Sequence, residues 1–126
     1  MNSRTALIVA GLINSSSLYA ASALQGTWHC EGEVMGFRVQ EELALQPGGS
    51  YSSTSIILGQ NQKSAGVWVF EDNRLTLSRQ FEWKDGTKIA APHEMRLTLS
   101  ALTNDSFQAL SKMADDEELI RTCTKS

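Results

Sequence analysis

The sequence predicts an all-β fold: a single small antiparallel up-and-down barrel of about eight strands. Three observations carry that reading. Gly66 to Leu77 alternates as two strands about the pair Asp72-Asn73, which suits the left-handed backbone of a two-residue turn. Short apolar-polar alternations then recur along the chain, separated by turn residues, and nothing reads as a long amphipathic helix. The only two cysteines, Cys30 and Cys123, stand near the two ends of the folded portion, where a bridge would tie the first strand to the last.

The chain begins with a segment read as a targeting signal. Met1-Asn2-Ser3-Arg4 is a short positive stretch, Ala6 to Ile13 is apolar, and Ala21-Ser22-Ala23 is a small-x-small site. Together they predict a secretory signal peptide over residues 1–23, cut after Ala23. The apolar run is well short of the roughly 20 residues that a spanning helix needs, and no later stretch approaches that length. The first cysteine is not at the cut, which argues against a lipid anchor. The expected location is the periplasm or the exterior. One domain, residues 24–126, then remains.

Leu24 to Cys30 is the first strand, with Trp28 and Cys30 on one face; Glu31-Gly32-Glu33 is expected to end it. Phe37 to Gln46 is the second, with Phe37, Val39, Leu43 and Leu45 on one face. Glu41 falls on that same face, which implies a bulge or an inward carboxylate. Pro47-Gly48-Gly49-Ser50 turns the chain into a third strand, Tyr51 to Leu58, whose core face is ambiguous. Gly59 to Ala65 reads as a polar connection. In the central hairpin Phe70 should face Leu75, Trp68 should face Leu77, and Gly66 should face Arg79. Continuing the alternation puts Arg79, Phe81 and Trp83 on the apolar side and Glu82 on the polar side.

Asp85-Gly86 is a hairpin turn into Lys88 to Leu102, in which Pro92 cannot donate to a ladder and marks a bulge, an edge or a short entry segment. Leu102 to Phe107 reverses the chain into Phe107 to Met113. Ala114 to Leu119 has room for a few helical residues, and the acidic run Asp115 to Glu118 reads as a solvated loop. Glu118 to Thr124 closes the set.

Composition limits function. The net charge is −3, and losing Arg4 with the leader makes it −4. A mildly acidic exported chain has no overall electrostatic reason to bind nucleic acid or an anionic membrane. Two cysteines in such a chain predict one disulfide, Cys30–Cys123.

Gly26-Thr27-Trp28 resembles the Gly-x-Trp motif that opens the first strand of small bacterial lipocalin-like (calycin-type) barrels. Gly48-Gly49-Ser50-Tyr51, Gly66-Val67-Trp68 and Asp72 to Leu77 resemble the middle of such domains, and Leu102 to Phe107 their penultimate hairpin. The resemblance implies that Trp28 lies at the barrel floor, beneath a cation from the last strand. Arg121 or Lys125 would fill that role; if the two cysteines face each other, Lys125 is opposite Trp28. Full-length lipocalins carry a long lid loop and a C-terminal helix, and this chain has neither pattern.

Chemistry-bearing motifs are sparse. His29 and His93 are the only histidines, and no Gly-x-Ser-x-Gly elbow accompanies them. His93-Glu94 are neighbours whose side chains diverge on a strand, so no metal site is expected. Glu41 and Glu82 do not share a face, which leaves paired-carboxylate chemistry unsupported. No cofactor-binding loop occurs. Asn104-Asp105-Ser106 is a glycosylation sequon of consequence only in a eukaryotic secretory pathway.

Arg79 is expected inward, opposite Gly66 and paired with Glu41, or else reaching to a barrel mouth. The expected function is binding of a small apolar or amphipathic ligand near Trp68, Phe70, Arg79 and Glu41, without catalysis. The alternatives are an inhibitor of a secreted hydrolase acting through Gly59 to Ala65, or an envelope assembly factor.

Overall fold

In the computed structural model, residues 21–112 and 118–126 are described. The signal peptide up to residue 20, the end of the seventh strand at Met113, and most of the expected helical and acidic stretch lie outside them. Eight strands run β1 (Gly26–Val34), β2 (Phe37–Leu45), β3 (Ser50–Ile57), β4 (Gln60–Glu71), β5 (Arg74–Lys84), β6 (Thr87–Ser100), β7 (Ser106–Lys112) and β8 (Glu118–Lys125). Each pairs antiparallel with the next, and β8 pairs with β1, closing the barrel.

The central hairpin has the expected register: Phe70 opposite Leu75, Trp68 opposite Leu77, Gly66 opposite Arg79. Asp72 and Asn73 both take positive φ, 53° and 60°, the paired left-handed geometry of the turn. Cys30 is opposite Cys123 and bonded to it, across a sequence separation of 93.

The two ends of the barrel differ. The floor is packed with Leu24, Trp28, Leu43, Leu45, Trp68, Leu75, Leu99 and Phe107. Residues 21–24 form one helical turn beneath it. Trp28 Nε1 donates to Leu24 O at 2.7 Å, and the Trp28 and Phe107 rings meet edge to face at 4.6 Å. Lys125, opposite Trp28 in the ladder, holds its ammonium 5.0 Å from the Trp28 ring and donates to Ala23 O. Arg121 is elsewhere, four ladder positions further up β8, opposite Gly32.

Several boundaries differ from expectation. Glu31-Gly32-Glu33 does not end β1, which continues to Val34; the chain turns at Met35-Gly36 instead. Gly32 suits the strand because a Cβ there would come within 2.9 Å of Ile120 O. Gly59 to Ala65 is not a connection: the turn is Leu58-Gly59, and Gln60 onward is ladder. Polar residues hold this strand because its upper inward face meets polar partners, with Ser64 Oγ 3.1 Å from Ser53 Oγ. Tyr51 and Ser53 settle the inward face of β3.

The alternation of β5 also breaks. Gly66 pairs with Arg79 but Ala65 with Phe81, so Gln80 is an extra residue against β4. On the other side Arg79 pairs with His93 and Phe81 with Ala90, leaving Ala91-Pro92 as the bulge that Pro92 forecasts. The shift reverses the faces. Glu82 turns inward and is 6% exposed, while Phe81 and Trp83 turn outward beneath the Lys88 ammonium, 4.2 Å and 5.8 Å from their ring centres. Gly66 makes room for backbone rather than for the Arg79 side chain: a Cβ would lie 2.0 Å from Ser78 O.

Candidate functional site at the barrel mouth

Above the packed floor the inward residues become polar. Glu41 is 9% exposed and Ser53, Glu82 and Ser111 are buried beside it in this upper half. Glu41 points inward as its phase requires, but its partner is Arg121 of β8, Nη1 to Oε1 at 3.0 Å. Arg79 does not reach Glu41. Its Nε donates to Ala91 O at 2.8 Å, and its Nη1 lies 3.5 Å from Glu82 Oε2. The bulge explains the exchange, because Ala91 is skipped in the β5–β6 register and its carbonyl is free to accept.

Glu82 also receives Gln62 Nε2 at 3.3 Å and stands 3.3 Å from Lys84 Nζ. Desolvation works against its charged form. Hydrogen bonds from Lys84 and Gln62, with the Arg79 and Lys84 charges, outweigh that and hold the carboxyl below its usual range. At Tyr51 the same desolvation prevails, pushing the phenol up against a smaller opposing hydrogen bond from Ser64.

The wall opens between β6 and β7. Only Thr98 to Ser100 pair with Gln108 to Leu110; above them the strands separate. There a pocket of about 800 Å³ opens at the mouth. Its apolar wall includes Met35, Phe37, Val39, Ile57, Met95 and Leu119, and Arg121 lies among its lining residues. Phe37 belongs to the rim, 51% exposed, and not to the core that the alternation of β2 implies. Beneath the pocket a cavity of about 50 Å³ is bounded by Glu41, Tyr51, Arg79, His93 and Met95.

Of the four expected ligand residues, the structure brings Glu41 and Arg79 to this inner cavity. Trp68 and Phe70 lie lower, in or against the packed floor, with Trp68 Nε1 donating to Gln46 O at 3.0 Å. Sequence reasoning missed Arg121 as the partner of Glu41. The signal was present: with Cys30 opposite Cys123, Arg121 falls opposite Gly32, on the same inward phase and facing no side chain. Among the described residues, no group of three or more His, Cys, Asp or Glu side chains is placed to hold a metal ion. No helix among them is long and apolar enough to cross a membrane.

No protein-family model and no curated protein matches the chain. Among solved structures it is similar to a redesigned β-barrel, at 16% identity and a TM-score of 0.59, over 85% of this chain and 95% of that one. It is also similar to a de novo designed fluorescence-activating β-barrel, at 18% identity and a TM-score of 0.56, over 85% and 97% of the two chains. At these identities the likeness shows the barrel fold alone.

Proposed function

We propose that this chain is an exported, non-catalytic binding protein, a lipocalin-like barrel that takes a small apolar or amphipathic molecule at its open mouth. The observation that carries the reading is the pocket of about 800 Å³ between β6 and β7. That volume lies within the span of small-molecule sites, which are mostly apolar with a few placed polar groups. Val39, Ile57, Met95 and Leu119 would receive the apolar part. Arg121, already joined to Glu41, would meet a polar end. The Cys30–Cys123 bridge is consistent with export.

Native mass spectrometry of protein purified from its own cells tests the reading. The expected result is a retained mass that is lost when Leu119→Trp fills the pocket while circular dichroism stays unchanged. A ligand-free wild type that also fails to bind any of a panel of fluorescent amphiphiles rejects it. The inhibitor alternative loses its motive, since Gly59 to Ala65 contains a tight turn and a strand, with no protruding loop.

A further inference from the structure

We propose that the open end of the barrel docks on a phospholipid bilayer, tilted so that its β3–β4 and β5–β6 side meets the headgroups. Three of the turns at this end are described: Met35-Gly36, Leu58-Gly59 and Asp85-Gly86. Each has positive φ at both positions. That backbone favours Asn, Asp and Gly. Asp85 conforms, as do Asp72-Asn73 at the floor. Met35 and Leu58 do not, and they are 75% and 68% exposed. A large apolar side chain in an unfavourable backbone, with little packing of its own, is accounted for by an apolar phase outside the molecule.

The neighbouring wall supplies charge of the right sign. Ile56 and Ile57 continue the exposed apolar surface from Leu58. Across a groove of about 630 Å³ lies Trp83, whose outward position follows from the bulge. Lys63 and Lys88 flank Trp83 in the ladders, and Lys84 stands at the rim. Among the described residues neither Lys63 nor Lys88 is paired with a carboxylate. Of the acids on this side, Glu82 is already held by Lys84 and Arg79, and Asp85 is at the turn. An apolar tip, an indole at interfacial level and unpaired lysines fit a phospholipid surface.

The acidic run Asp115 to Glu118 falls between β7 and β8 and at the start of β8. Glu118, at the start of β8, stands across the barrel from β4, so its repulsion from the headgroups turns that side away. The overall charge of −3 means that apolar insertion, and not net attraction, must supply most of the binding. Met35 and Ile57 also line the ligand pocket whereas Leu58 does not, so Leu58→Asn alone, which should also weaken partitioning, separates docking from pocket occupancy.

Sedimentation with vesicles of phosphatidylethanolamine and phosphatidylglycerol tests this on the full disulfide-bonded chain. Wild type should pellet with the vesicles, and brominated lipid should quench fluorescence that disappears in Trp83→Phe. Met35→Asn with Leu58→Asn should cut partitioning by at least about tenfold. The same pair should raise the urea midpoint, because Asn suits both turns. Lys63→Gln with Lys88→Gln should weaken binding and flatten its salt dependence. Wild type left in the supernatant at millimolar lipid overturns the proposal, as does an asparagine pair that pellets like wild type. A lipid-free dimer dissolved by the asparagine pair, with no vesicle binding by either protein, assigns the tips to self-association and overturns it too.

Discussion

Arg121 and Glu41 show what an inward charge demands in a small barrel. Each side chain is about nine-tenths enclosed, 12% and 10% exposed, and Arg121 Nε has no partner among the described residues. Removing one member leaves the other stranded, at a cost of about 3 kcal/mol. Arg121→Met should therefore lower stability by about that amount in urea denaturation, and adding Glu41→Leu should recover most of it. Glu82 gives a pH signature. Its folded carboxyl titrates below the ordinary value of 4.5, so its contribution is present above that value and is lost as pH falls through the depressed folded one. The acid limb of the stability profile should flatten in Glu82→Gln, followed by thermal unfolding between neutral and acid pH. At Gly66 the constraint is steric. Gly66→Ala should cost roughly 2–3 kcal/mol by overpacking backbone against backbone, read from the same urea curves.

Among the elements, the β6–β7 seam is the weakest closure. Three register pairs hold it near the floor, against nine between β1 and β2. Backbone groups facing the seam above Thr98 and Leu110 lack a ladder, so their amides should exchange ahead of those in the β1–β2 and β4–β5 ladders. Hydrogen exchange read residue by residue checks this; uniform protection around the barrel would contradict it. The elements also show which signals are local. Asp72-Asn73 announces its turn because the backbone it needs is a property of those two residues. Glu41 is legible as inward from its own strand. The reversal at Gln80 is not, because it depends on Gly66 in one neighbour and Ala91-Pro92 in the other. Pro92 marks that a bulge occurs without showing which face Glu82 and Trp83 then take. The turns at Met35 and Leu58 were hidden because those residues oppose the backbone that they adopt. The pairing of Arg121 with Glu41 required the β1–β8 register, which the cysteines supply.

For the whole molecule, closure is both hydrogen-bonded and covalent. The β1–β8 ladder runs from Trp28 and Lys125 to Gly32 and Arg121, with Cys30–Cys123 at its centre. Removing the bridge with Cys30→Ser and Cys123→Ser should lower stability by about 4 kcal/mol in the chain-entropy account, seen as a drop in the denaturation midpoint that reductant reproduces in wild type. The barrel should persist, since the ladder does not need the sulfurs.

The same bridge decides how the molecule would answer to force. A pull applied at the two chain ends passes from one sulfur to the other, and the 93-residue span between them carries no tension. In an optical trap the oxidised protein should therefore yield almost no extension. Adding reductant should release a hidden length of roughly 300 Å.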